Sequence, residues 1–282
     1  MRMRRLVLGI LALFLSGCAA RETAPPPVPP AVSEVLARIR NRPRPRSLRT
    51  LANFQLRFSA EEPGGLLARE LGLGGTYAGK AILLWRAPAS LRLEPLTPLG
   101  TPVAVVVARE KSLRAYLPGR ARFFEGRADA SSMARLFGVP IGTGLLVRLL
   151  QGALPVAEGA EAEQGRIGWD EEASAFRLEL PPGGGLDRRQ VVWLERDSWR
   201  PRRALLGEPG AEMEVHFGPF REWGGGHLPE WVEMTAPKGA SRLRVEVTLP
   251  PSASPAEFPE GVFDLAAPPG VRVLPLDESA FR

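Results

Sequence analysis

Beyond Pro45 the chain alternates apolar and polar positions with period two. Phe54, Leu56 and Phe58 share one side of such a run, with Gln55 and Arg57 on the other. Leu91 and Leu93 oppose Arg92 and Glu94, and Phe176, Leu178 and Leu180 oppose Arg177 and Glu179. Met213, Val215 and Phe217 oppose Glu212, Glu214 and His216, and Leu243, Val245, Val247 and Leu249 oppose Arg242, Arg244, Glu246 and Thr248. Successive side chains of a strand point to opposite faces, so these runs predict an antiparallel sheet with one dry and one wet face. Further strands are predicted at Lys80 to Trp85, Val103 to Ala108, Leu113 to Leu117, Gln190 to Glu195 and Trp231 to Thr235. Roughly ten strands in series imply a large, strongly curved sheet or a barrel.

Two stretches break the alternation. Ala31 to Asn41 carries Val32, Val35, Leu36 and Ile39 at helical spacing, with Ser33 as the expected cap and Pro43 and Pro45 ending the helix. Asp129 to Gly152 repeats the helical spacing at Met133, Leu136 and Phe137, then at Leu145, Leu146, Leu149 and Leu150. Pro140, Gly142 and Gly144 divide that stretch in two, with Thr143 as the expected cap of the second half and Gly152 its stop. Two short apolar helices inserted midway through a curved sheet are placed to plug its open side, although plain core helices have the same pattern. Pro181 to Asp187 and Trp223 to Pro229 read as turns and loops.

The N-terminus departs from all of this. Arg2, Arg4 and Arg5 precede an apolar run from Leu6 to Leu15, the layout of a secretory signal. The run is far shorter than the roughly 20 residues a spanning helix needs. Leu15-Ser16-Gly17-Cys18 follows and resembles the bacterial lipobox, in which the chain is cut before the cysteine and the cysteine is acylated. Cys18 is the single cysteine of the chain, so it has no disulfide partner within it, and lipidation would account for an exported lone thiol. Ala19 in place of an aspartate points, by the same resemblance, to the outer membrane. Pro25-Pro26-Pro27 and Pro29-Pro30 favour an extended polyproline spacer. The expected organisation is a signal over residues 1–17, a lipidated cysteine and tether over 18–30, and a single β domain over 31–282.

Charge and chemistry narrow the function. The formal net charge of +6 falls to +3 once residues 1–17, with three arginines and no acids, are removed. No basic run interleaves with aromatics in the folded part, so nucleic acid is not an expected partner. Arg38, Arg40, Arg42, Arg44 and Arg46 form a local basic cluster, either a solvated face or an attraction for anionic head groups. His216 and His227 have no second histidine or cysteine at metal-ligand spacing. Ser131, Ser132 and Ser198 lack a nucleophile-elbow context, and Gly183-Gly184-Gly185 and Gly224-Gly225-Gly226 do not open a phosphate-binding helix. No catalytic residue, metal or cofactor is therefore expected.

Two segments then carry a family resemblance. LRLEPLTPLGTPVAV from Leu91 to Val105 and MARLFGVPIGTGLLVRLLQGALP from Met133 to Pro155 resemble the LolB family of outer-membrane lipoprotein receptors. The resemblance implies a mainly β fold, a curved antiparallel half-open β-barrel with a helical lid, of the LolA/LolB-like kind. It also implies a non-enzymatic monomer, facing the periplasm, that takes acylated lipoproteins or lipids from a LolA-type carrier and inserts them into the outer membrane. Phe54, Leu56, Phe58, Phe137, Leu146, Leu149, Leu243, Val245 and Val247 are the expected lining of its acyl cavity. For each of these residues, ordinary core packing is the alternative. Leu99, in Thr97-Pro98-Leu99-Gly100, matches the family's protruding membrane-delivery leucine; the alternative is a leucine folded back over the barrel rim beside Leu96. A structural or envelope-assembly lipoprotein using the sheet for protein contacts is the second functional class, favoured by a small or closed cavity. A hydrolase of envelope polymers, which needs converging carboxylates, is the third.

Overall fold

The computed structural model describes residues 27–58, 65–70, 75–154, 164–182, 189–248 and 257–276. Cys18 and the signal lie outside the described residues, as do Pro25, Pro26, Leu249 and most of the expected turn at Pro181 to Asp187. The α-helices among the described residues are α1 (Val32–Arg40), α2 (Leu66–Glu70), α3 (Ala130–Phe137) and α4 (Thr143–Leu150). The first six strands are β1 (Ser47–Phe58), β2 (Thr76–Arg86), β3 (Ser90–Pro95), β4 (Val105–Arg109), β5 (Ser112–Leu117) and β6 (Arg122–Arg127). After α3 and α4 come β7 (Arg166–Asp170), β8 (Ala175–Leu180), β9 (Gln190–Leu194), β10 (Pro201–Leu206) and β11 (Met213–Phe217). The last five are β12 (Phe220–Trp223), β13 (Gly226–Pro229), β14 (Trp231–Thr235), β15 (Ser241–Thr248) and β16 (Arg272–Pro275).

Fourteen of these strands form one sheet in the order β16-β6-β5-β4-β3-β2-β1-β15-β14-β11-β10-β9-β8-β7. All neighbours are antiparallel except β16 and β6, which run parallel. The end strands β7 and β16 do not pair with each other, so the curved sheet stays open. One face carries a continuous core to which nearly every strand of this sheet contributes, together with α1, α3 and α4. Register explains the alternation: Phe54 lies opposite Val245, Leu56 opposite Leu243 and Ala52 opposite Val247. Phe54 also meets Tyr77 with ring centroids 5.1 Å apart. The helices follow from their apolar stripes, since α4 spans from β3 to β14 and so lies across the middle of the sheet.

The opposite face of the sheet is covered in part by the C-terminal segment. Phe263, with Phe258, Val262 and Leu265 around it, packs on Leu84 and Val107. Arg86 sits over both phenyl rings at 5.2–5.3 Å, and Arg109 is ion-paired with Asp264 at 2.5 Å.

Local details correct the sequence reading. Helix α1 is capped by Ala31, not Ser33, because the first i→i−4 bond runs from the Val35 N–H to the Ala31 carbonyl. Helix α4 is capped by Gly142, which places Thr143 at the first helical position rather than at the cap. Trp223 to Pro229 is not a loop but most of the β12–β13 hairpin, in which Gly224 and Gly225 both take positive φ as a two-residue mirror-image turn requires. Strands β6, β7, β10 and β16 were not expected. Strand β10 opens on Pro201 with a register shift beside it, which masks its periodicity.

Candidate functional site

Beneath α3 and α4 the concave face encloses an apolar cavity. Strands β1, β2, β3 and β15 form its wall through Phe54, Leu56, Leu83, Leu91, Leu243 and Val245. The lid contributes Met133 and Phe137 from α3, and Leu146 and Leu150 from α4. Val139 and Ile141 come from the link between the two helices. All fourteen lining residues are apolar. A polar group without a hydrogen bond is costly in such surroundings, so the lining is chemically suited to hydrocarbon.

The lid is held closed by specific local chemistry. Asp129 caps α3 by accepting from the Ser132 N–H at 2.9 Å. At its other end Gly138 adopts φ +76°, and the Ser241 hydroxyl donates to the Gly138 carbonyl, tying the lid to β15. A Cβ at Gly138 would stand 2.6 Å from Phe58 Cε1. In this closed arrangement the cavity measures about 40 Å³ in the space open to the centre of a water-sized sphere. Ligand pockets run to roughly 300–1,000 Å³, so the cavity in this arrangement is smaller than a typical ligand pocket.

Of the nine residues expected to line the cavity, Phe54, Leu56, Phe137, Leu146, Leu243 and Val245 do so. Phe58 packs instead against the end of α3 at Gly138. Leu149 is fully buried in the core but outside the cavity lining, and Val247 stands opposite the lining residue Ala52 without lining the cavity itself. The reading also missed several lining positions. Leu83, Leu91 and Leu93 obey the same period-two alternation, Met133 precedes Phe137 by one helical turn, and Leu150 follows Leu146 by one. Ala52 stands opposite Val247, whereas Val139 and Ile141 carry no periodic signal because they lie between elements.

Strand β3 leads from the cavity directly to the Thr97–Thr101 turn. Its base is closed by the Thr97 N–H donating to the Thr101 carbonyl at 2.8 Å and the Thr101 N–H to Thr97 Oγ1 at 3.1 Å. Leu99 at the tip is 94% exposed, so it is not folded over the rim beside Leu96. Single exposed leucines are common, but one fixed at a bonded turn tip presents an apolar side chain outward.

The polar chemistry lies elsewhere. His216 Nε2 is 2.9 Å from Glu214 Oε1, which also accepts from Arg203 at 2.7 Å. Burial works against the Glu214 charge, yet His216 and Arg203 together hold the carboxyl below its ordinary range. At His227, burial first and Arg200 second push the imidazole below its ordinary value. Among the described residues no group of three or more His, Cys, Asp or Glu side chains converges to hold a metal ion. No described helix is long and apolar enough to cross a membrane.

No protein-family model and no curated protein matches this sequence. Among solved structures, the chain is similar to a protein domain named for outer-membrane lipoprotein sorting, from Vibrio parahaemolyticus. Identity is 15% and the TM-score 0.49, covering 82% of this chain and 94% of that one. It is similar also to a LolA superfamily protein from Nitrosomonas europaea, at 11% identity and a TM-score of 0.48, covering 83% and 98%. A DUF1329 family protein from Desulfovibrio piger is similar at 10% identity and a TM-score of 0.49, covering 77% and 90%. Likeness at this level assigns no function to this chain.

Proposed function

We propose that this chain is a lipid-anchored envelope protein that holds acyl chains in the cavity beneath α3 and α4. The observation that carries the reading is a cavity lined by apolar side chains alone and covered by two short helices. In this reading Cys18 is the acylated anchor, and two or more acyl chains on it would hold the protein stably to a membrane. The protein would accept acylated lipoproteins or lipids, from a LolA-type carrier or directly, and release them to the outer membrane from its periplasmic side. Transfer needs no nucleotide, because burial of hydrocarbon improves at each step from carrier to cavity to bilayer. The chemistry is binding and release, without a bond made or broken in the cargo.

The small volume of the closed cavity favours a second reading, a structural or envelope-assembly lipoprotein whose sheet makes protein contacts. Native mass spectrometry of the mature protein, released gently from an envelope extract in neutral detergent, separates the two. Co-purifying phospholipid or acylated peptide, or uptake of added palmitate, supports the acyl-binding reading. A clean unliganded mass that takes up neither palmitate nor an acylated peptide overturns it in favour of the structural lipoprotein.

A further inference from the structure

The Arg42-Pro43-Arg44-Pro45-Arg46 ribbon between α1 and β1 has no part in the proposed acyl site. Its three arginines, with Arg40 of α1 and Arg148 of α4, line a solvent-open recess of about 450 Å³. No aspartate or glutamate lines it among the described residues. The ribbon is held in place by neutral acceptors and donors. Arg42 donates to the Ser198 carbonyl at 3.0 Å, Arg44 donates to the Ile39 carbonyl, and Gln151 Nε2 donates to the Pro45 carbonyl at 2.7 Å. The first two bonds hold the Arg42 and Arg44 guanidinium groups without neutralising them, and Arg44 Nε is buried with no partner. The charges oppose one another. Burial, then Arg44 and Arg200, lower the Arg42 pKa to about 10 against a weaker opposing pull from Glu195. Burial and Arg148 likewise lower that of Arg44.

A concave recess lined by Arg42, Arg44, Arg46 and Arg148, with no acid among its described lining residues, is built to be completed by an anion. A guanidinium presents paired N–H donors in a planar fork that matches two oxygens of a phosphate. A phosphoryl group carries one to two negative charges on a compact cluster of acceptors, which several forks can share. We propose that this recess binds a phosphoryl anion, free or as the headgroup of a lipid. The site is distinct from the apolar cavity, and the proposal stands whether or not that cavity holds acyl chains.

The test uses the full chain purified in neutral detergent, with calorimetric titration of two probes. One is inorganic pyrophosphate; the other is phosphatidic acid in mixed micelles, compared with phosphatidylcholine at the same mole fraction. Binding of at least one phosphoryl probe is expected, weakened tenfold or more in Arg44→Gln/Arg148→Gln and unchanged in Arg57→Gln, an exposed arginine on β1. Pyrophosphate binding with no preference for phosphatidic acid identifies a soluble phosphoester as the ligand. Selective binding of phosphatidic acid identifies a headgroup. Because Arg44 also holds the Ile39 carbonyl, Arg148→Gln is measured alone as well. The Arg148 side chain is exposed on α4. Its loss should weaken binding about tenfold, near the low end for one charge-assisted bond, with an unchanged melting temperature. Absence of binding to both probes, or an equal loss in Arg57→Gln, overturns the proposal.

Discussion

Leu146 and Arg148 lie two positions apart on α4 and line different cavities, Leu146 the apolar one and Arg148 the arginine recess. A helix turns by about 100° per residue, so positions two apart face opposite sides. One helix therefore forms a wall of both cavities, and any displacement of α4 that admits hydrocarbon also moves a guanidinium of the recess.

Truncation of Leu146 tests the lid side of this arrangement. The side chain is 5% exposed and packs in the core as well as lining the cavity. Leu146→Ala should lower the unfolding free energy by about 2–4 kcal/mol, from lost burial plus residual cavity. The enlarged cavity should take up a fluorescent fatty acid more tightly than the wild type. Urea denaturation and fluorescence titration measure the two effects. Destabilisation without a gain in uptake would separate the cavity from acyl binding.

Gly138 is the point where the lid is fastened. Its φ of +76° is strained for any side chain, and a Cβ would meet the Phe58 ring. Gly138→Ala should therefore cost at least about 1 kcal/mol. Hydrogen exchange of the α3 amides should accelerate more than that of β8 to β10, since the loss begins at the lid. Uniform acceleration would show that the lid does not open separately.

How much of this was legible in the sequence depends on whether the signal is local. Strand alternation places Phe54, Leu56, Leu243 and Val245 on one face and β1 and β15 pair in register, whereas a cavity at that face was implied by the family resemblance alone. Phe58 obeys the same alternation but lies at the strand end, where it meets Gly138 instead. Val139 and Ile141 reach the cavity from a connection with no periodicity to read. The arginine ribbon was visible as a charge run. Its conversion into a recess depends on Arg148, brought to it by the packing of α4, and no local pattern announces that contact. The parallel pairing of β16 with β6 is likewise a long-range event, encoded by no turn.

The hairpin of β7 and β8 carries an acid-sensitive contact. Trp193 Nε1 donates to Asp170 Oδ2 at 2.7 Å, and the Ala173 N–H donates to Oδ1 at 2.9 Å. Trp193 first and Ala173 second hold the Asp170 carboxyl below its ordinary value. A depressed folded-state value means that the stabilisation is present above the ordinary aspartate range and is lost as pH falls through the folded value. Asp170→Asn presents amide hydrogens where an acceptor is needed, and should cost roughly 0.5–1 kcal/mol near neutrality, the low end suiting a partly solvated site. Urea midpoints measured from neutrality down to about pH 3 should fall more steeply in the wild type than in the variant. Parallel curves would remove Asp170 from the acid response.

Leu99 allows stability and the proposed delivery step to be tested separately. At 94% exposure it contributes almost nothing to the folded core, so Leu99→Glu should change the unfolding free energy by less than about 0.5 kcal/mol. The turn beneath it is closed by backbone and Thr97 bonds that do not involve the leucine side chain, so its shape should persist. Burying a leucine in lipid is worth about 1.5–3 kcal/mol, and a glutamate at the same tip would oppose entry. If the tip enters the bilayer during release, transfer of a dansylated acyl peptide from protein to vesicles should slow tenfold or more. Binding of the same peptide in the absence of vesicles should be unchanged, because Leu99 does not line the cavity. Unaltered transfer in Leu99→Glu would mean that release proceeds without the turn, through opening of the α3–α4 lid alone.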